Sequence, residues 1–298
     1  MPWVLVVVVA IVAAIAPARA DVAARQRAGR ALFANQIRAL HDGNLDAFAN
    51  QFIEGDRAAA MFPSSKFAAV GRKAIRAAAS EWAGAGRAPT GVAVVGTPIV
   101  GVKPEDDAGT RSERLVVVTG DVTVDLKDKQ RPVTLRITSI LSSGFDRANA
   151  NALSVVATFV TEPVEDVRLR GAGDLIENKD FDRFFDLLRF PDVLAAHFDA
   201  AVDDVVIGPS ARERATGPEA SKLVAGWRVF QFAVIGKPHV IKEADWTYVM
   251  GTMTRSRGGS QNLTPMNVLL VGYPECSKTC VGIDMTPHVV ALHLGLPH

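Results

Sequence analysis

The chain repeats itself. Ala93-Val-Val-Gly-Thr-Pro-Ile-Val100 returns as Ala233-Val-Ile-Gly-Lys-Pro-His-Val240, an offset of 140. Upstream, Phe52, Pro63, Ser64 and Gly71 match Phe198, Pro209, Ser210 and Gly217, each at an offset of 146. Trp82 and Trp227 close the next helical stretch of each copy. Downstream, Gly120 pairs with Gly251, Pro132 with Pro265, and Val155-Val-Ala157 with Val289-Val-Ala291. The order is kept while the offset drifts in small steps, as loop insertions produce. A period this long makes each copy a domain, and 298 residues suit two of them. The expected division is residues 24–165 for the first unit, 166–178 for a charged, Gly-containing linker and 179–298 for the second unit.

Both copies follow one plan. Val22–Leu40 has helical periodicity and stops near Gly43, and Leu45, Phe48 and Phe52 repeat at helical spacing. Phe181, Phe184, Phe185 and Leu188 form the corresponding stripe in the second copy, followed by Asp192–Ala200. Short strands at Ala58–Phe62 and Val205–Ile207, a Pro-Ser turn and a Gly lead to helices at Lys73–Trp82 and Pro218–Trp227. The period then changes to two, giving strands at Gly91–Val102, Arg114–Leu126, Pro132–Ser142 and Ala152–Val160. Their counterparts are Phe232–Ile241, Asp245–Thr254, Pro265–Tyr273 and His288–Leu294. Helices followed by an antiparallel meander define an α+β fold in which the helices cover one face of the sheet.

Residues 1–20 predict an address. The apolar run Pro2–Ala16 is shorter than the roughly 20 residues a spanning helix needs, and Ala18-Arg19-Ala20 has the small-x-small form of a cleaved export signal. The expectation is an exported chain, periplasmic or secreted, with no membrane association after cleavage. Removing residues 1–20 takes away one Arg and leaves 32 basic against 32 acidic residues, so no electrostatic case for nucleic acid remains. Cys276 and Cys280 are the only cysteines. In an oxidising compartment a local disulfide is the leading expectation. Free thiols are one alternative. A metal site with His288 and His293 is the other, disfavoured by the strand-like spacing of the two His. No metal site and no cofactor are expected.

This pattern resembles the nuclear transport factor 2-like superfamily, in its SnoaL-like and ketosteroid-isomerase-like branch. The resemblance is carried by the Leu45–Phe52 and Val193–Phe198 helices, the short strand, polar turn and Gly (Gly71, Gly217) after each, the third helix, and long strands such as Asp245-Trp-Thr-Tyr-Val-Met-Gly251. It implies two tandem cones, each a strongly bent antiparallel sheet wrapped round about three helices. It also implies an apolar cavity at the wide end, and in some members a lone His or carboxylate as general base. The outer sheet face is a common dimerisation surface in that superfamily. A pseudo-dimer between the two units, or a homodimer, is therefore expected, with Val133, Leu135, Ile137, Val268 and Leu270 as candidates for one apolar face.

The second copy carries the polar handles. Trp246 and Tyr248 stand where the first copy has Leu115 and Val117, and Trp246, Tyr248 and Met250 share one strand face. With Trp227 and Phe198 they form the candidate ligand pocket. His197, aligned with Gln51, and Asp245, at a strand start, are the candidate general bases. His239, aligned with Ile99, can face inward, and Glu213 is expected to pair with its neighbours at the surface. The residues favour a non-catalytic protein that binds a small apolar ligand or a protein partner. The alternative is a cofactor-free isomerase, dehydratase or cyclase acting through His197 or Asp245.

Overall fold

The computed structural model describes residues 3–63, 65, 67–83, 89–102, 115–126, 132–143, 152–163, 187–198, 204–242, 246–257, 264–273 and 288–296, with the backbone path alone for 3–21, 89, 90, 102, 126, 273 and 288. The linker, the stripe residues Phe181, Phe184 and Phe185, and Asp245, Cys276 and Cys280 lie outside these residues, and with them the expectations placed on them.

In the first unit α1 (Trp3–His41), α2 (Leu45–Asn50), β1 (Ala59–Met61), β2 (Ala69–Val70) and α3 (Arg72–Trp82) precede β3 (Pro89–Val102), β4 (Leu115–Leu126), β5 (Val133–Ser142) and β6 (Ser154–Thr161). The second unit has a 3-10 turn (Leu187–Arg189), α4 (Pro191–Ala195), β7 (Val205–Ile207), β8 (Arg214–Thr216) and α5 (Pro218–Gly226). A second 3-10 turn at Trp227–Val229 leads to β9 (Phe230–Lys242), β10 (Thr247–Arg257), β11 (Thr264–Tyr273) and β12 (His288–Gly295). The apolar run and the expected Val22–Leu40 helix are one helix, α1. No helix among the described residues is long and apolar enough to cross a membrane.

The repeat is a repeat of topology. The two six-stranded sheets run β2-β1-β6-β5-β4-β3 and β8-β7-β12-β11-β10-β9. In each, the short strand is parallel to the last one (β1 with β6, β7 with β12) and the other pairs are antiparallel. Even single hydrogen bonds recur. Val155 N donates to Gln51 O and its equivalent Val289 N to His197 O; Gly71 N donates to Ala58 O and Gly217 N to Asp204 O. The tiny strands β2 and β8 escaped the sequence pattern because two or three residues carry no period. The Gly-x-Pro that opened the sequence comparison bends each sheet. Gly96 and Gly236 have φ of 70° and 62°, in the left-handed region that favours glycine. The β3–β4 and β9–β10 registers break beside them, and such bulges curl a sheet round its helices.

The inner faces hold the helices. α1 lies against β3 and β4, and Phe33, Ile37, Phe48, Phe52, Phe62 and Trp82 fill the first unit. Gln36, a polar group that α1 turns inward, is satisfied by Thr158 Oγ1 at 3.0 Å and Ser139 Oγ at 2.8 Å. Leu194, Phe198, Val224, Trp227, Met253, Val268 and Leu270 fill the second.

The outer faces meet each other. Trp246, Tyr248, Met250, Leu269, Val271 and Ala291 of the second sheet join the core of the first unit. Val133, Leu135 and Ile137 of β5 and Val268 and Leu270 of β11, all expected on the outer face, point inward instead; the interface uses the alternate residues of both strands. Equivalent positions face one another here. Strand pairing makes Phe159 the counterpart of His293 and Thr161 that of Gly295. The Phe159 and His293 rings touch edge to face at 4.8 Å. His293 is fully buried, with Nδ1 2.9 Å from Thr138 Oγ1 and Nε2 2.7 Å from Thr161 Oγ1. Thr161 lies against the bare Cα of Gly295, where a Cβ would overlap its methyl group. Arg136 donates to Ser210 O and Ala211 O, while its counterpart Asn267 donates back to Ser65 O.

Two predictions follow from this contact. Gly295→Ala should destabilise the protein by about 1–3 kcal/mol, by overpacking against Thr161, and Thr161→Ala should recover part of that loss in urea unfolding. Burial, with repulsion from Arg136 and Arg214, holds the His293 pKa well below 6.5. The native ring is therefore neutral, while the unfolded chain binds a proton once the pH falls below about 6.5. Stability from this site is intact above that pH and falls below it, by about 1.4 kcal/mol per pH unit. The urea midpoint should drop between pH 7.5 and 5.5, and His293→Gln should flatten that slope.

Candidate functional site: a cleft between the two units

The two rims of the inter-unit contact are built from equivalent positions and have diverged. At one rim Asp121 bridges Arg136 Nε and Arg214 Nη1, both at 3.1 Å, and the Arg136 guanidinium caps two carbonyls of the second unit. The counterparts at the other rim are Thr252 for Asp121, Asn267 for Arg136 and Ala68 for Arg214. Where one rim has two long cations and their carboxylate, the other has two short polar side chains and a methyl group. Thr252 and Asn267 still bond each other at 3.3 Å, but they do not fill the space.

What remains is a cleft of about 270 Å³, walled by Phe67, Ala68 and Val70 of the first unit and by Ile235, Pro238, His239, Met250 and Thr252 among others of the second. Phe67 stands 72% exposed at its mouth, with Lys237 beside it. A mostly apolar wall with one or two polar groups is the composition of a small-molecule site. The volume is just below the range of about 300–1,000 Å³ typical of such sites.

The polar group is His239. Tyr248 donates its hydroxyl proton to Arg57 O across the interface, at 2.8 Å. Its oxygen therefore accepts from His239 Nε2, at 3.2 Å. This assigns the ring proton to Nε2 and makes Nδ1 the acceptor. Burial lowers the His239 pKa below 6.5, with Asp56 pulling the other way, so the imidazole is neutral at pH 7. Trp246 stacks on Tyr248 at 6.0 Å and 16° and fixes the phenol ring from behind.

The residues expected to form one pocket separate into two groups. Trp246, Tyr248 and Met250 share a face as read from the sequence, but that face is the outer one. Met250 lines the cleft, Tyr248 orients its histidine, and Trp246 and Tyr248 are completely buried. Trp227 and Phe198 lie inside the second unit. His197 is half-buried at the end of α4, and its carbonyl accepts from Val289 N. Glu213, expected to pair with its neighbours at the surface, accepts from Trp227 Nε1 at 3.1 Å and from Ser210 N at 3.0 Å. Among the described residues no cluster of His, Cys, Asp and Glu could hold a metal. Phe67, Ala68 and Lys237 were missed by the sequence reading. Comparing the copies position by position would have flagged Ala68 against Arg214 and Thr252 against Asp121.

No protein-family model matches the chain, and no curated protein does. Solved structures similar to it include a nuclear transport factor 2-like protein of unknown function from Pseudomonas putida, 13% identical, with a TM-score of 0.37, covering 49% of this chain and 91% of that one. Another is a nuclear transport factor 2-like protein with a cystatin-like fold from Novosphingobium aromaticivorans, 14% identical, with a TM-score of 0.36, covering 49% and 86%. A domain of unknown function with a cystatin-like fold from Nostoc punctiforme is 18% identical, with a TM-score of 0.35, covering 47% and 78%. The first two carry the name of the superfamily that the sequence resembles, and each match spans about half of this chain.

Tyr248→Phe should cost about 1–3 kcal/mol in urea unfolding, because it leaves the Arg57 carbonyl without that donor and His239 Nε2 without its acceptor. Tyr248→Leu should cost more, since the packing of the ring is lost as well.

Proposed function

We propose that the chain is a non-catalytic binding protein, a dimer of cones fused into one polypeptide, that holds a small apolar molecule in the cleft between its units. The observation that carries this reading is the divergence of the two rims: one is closed by an ion network of buried and half-buried groups, and its counterpart is open, apolar and furnished with an oriented imidazole. The volume suits a one- or two-ring molecule. Phe67 and Met250 offer apolar faces, and Nδ1 of His239 accepts a hydrogen bond from a hydroxyl group. We further propose that residues 1–20 direct export and that Cys276 and Cys280 pair as a disulfide in the compartment reached.

The probe is 2-naphthol, a neutral two-ring phenol, titrated into the full chain while the His239 imidazole signals are followed by NMR. Saturable shifts of those signals are expected. Ala68→Arg, which restores at this rim the residue type of the other, should abolish them without unfolding the protein. Shifts that never saturate, or that survive Ala68→Arg unchanged, would show that the cleft is not the binding site.

A further inference from the structure

We infer that the interior of the second unit holds a separate site for an apolar monocarboxylate, anchored by Arg255. This arginine is on β10, directly opposite Thr264 of β11 and Phe232 of β9. Met253 and Met266, two residues along each strand, belong to the inner core, so Arg255 and Thr264 point inward with them. Arg255 is 3% exposed. Its guanidinium lies over the Phe230 ring at 4.3 Å. Its Nε has no hydrogen-bond partner, and neither has the buried Oγ1 of Thr264 across the strand gap. Two unpartnered polar groups thus lie side by side in an apolar interior, where folding leaves very few.

The fold does not demand them. The equivalent cross-strand pair in the first unit is Val124 and Val133, both buried and apolar. Nor is the charge neutralised by its surroundings. Among the described residues no carboxylate is within ion-pair distance of Arg255. The charge that acts on it is Glu213, whose carboxylate is engaged by Trp227 Nε1 and Ser210 N. Burial accordingly pushes the Arg255 pKa down. A buried cation without a hydrogen-bonded counter-charge is unfavourable by itself, and a ligand that supplies the counter-charge removes the penalty.

The chemistry of the ligand follows from the donors. A guanidinium offers a planar fork that matches a carboxylate, and the Thr264 hydroxyl adds one more donor. A single cation suits a singly charged group better than a phosphate dianion. Around the anchor, Phe230 and Phe232 present aromatic surface, and Trp227 stands 6.5 Å from Phe232. The remainder of the ligand is therefore an apolar or aromatic body.

The test is calorimetric titration of the full chain with 4-phenylbutyrate, and with 4-phenylbutanol as its neutral match. Saturable binding of the acid is expected, with the alcohol at least tenfold weaker. Arg255→Met should weaken the acid at least tenfold while the thermal midpoint holds or rises, because an unpaired buried charge has been replaced by an apolar side chain. Thr264→Val should weaken it several-fold. Absence of saturable acid binding, equal binding of acid and alcohol, or binding retained by Arg255→Met would overturn the assignment. So would a lowered thermal midpoint in Arg255→Met without acid binding by the parent, which would make the guanidinium a structural group stacked on Phe230. Acid binding that disappears in Ala68→Arg belongs to the cleft, and also overturns it.

Discussion

Each sheet of this protein has two apolar faces and only one set of helices. α1, α2 and α3 cover the inner face of the first sheet, and nothing local covers the outer one. Leu115, Val116, Val117 and Val118 are consecutive and all buried, a pattern possible only when both faces are covered. The second sheet presents Trp246 and Tyr248 outward, and each aromatic side chain of this kind buries about 150–250 Å². At ~25 cal/mol per Å² that is about 4–6 kcal/mol apiece, against a total stability of about 5–15 kcal/mol for a typical domain. The two units therefore depend on their mutual contact, and the contact fixes where any site between them can lie.

That contact brings equivalent residues together, which is the property of a two-fold interface. Phe159 meets its own counterpart His293, Thr161 meets its counterpart Gly295, and Arg136 and Asn267 each reach for the other unit's turn carbonyls. Where these counterparts touch, the differences between the copies are ones that the packing accommodates. A histidine replaces a phenylalanine, and two threonine hydroxyls satisfy its nitrogens. Away from the axis the constraint relaxes, and there the rims have parted: an ion network on one side, a cleft on the other.

Much of this arrangement was legible in the sequence. The repeat, the helix-then-meander order, and all eight long strands follow from periodicity, with ends shifted by a few residues at most. The direction of the faces was not legible. Alternation places Trp246, Tyr248 and Met250 together and Val268 with Leu270, but it says which face is inner only when the other face is polar. Here both are apolar, so the aromatic trio was assigned to a pocket and turned out to be interface, with only Met250 reaching a cavity. The cleft itself was hidden for another reason. It exists because of what Ala68, Thr252 and Asn267 lack, and a small residue signals space only when its larger counterpart is set beside it.

Carrying both units in one chain leaves such a difference between the rims open. In a homodimer a two-fold axis copies every substitution to both rims, so Arg136→Asn would open two clefts and break two ion networks at once. With both units in one chain the rims are encoded separately. One retains Asp121, Arg136 and Arg214, bonds between buried or half-buried groups that clamp the sheets together. The other, relieved of that task, can give up the packing that a cleft costs. The same separation reaches inside the cones, where Val124 and Val133 fill the first unit while the equivalent positions of the second carry Arg255 and Thr264. In both places one of two equivalent positions keeps the arrangement that stabilises the fold, and the other carries groups, or leaves space, that stability alone does not ask for.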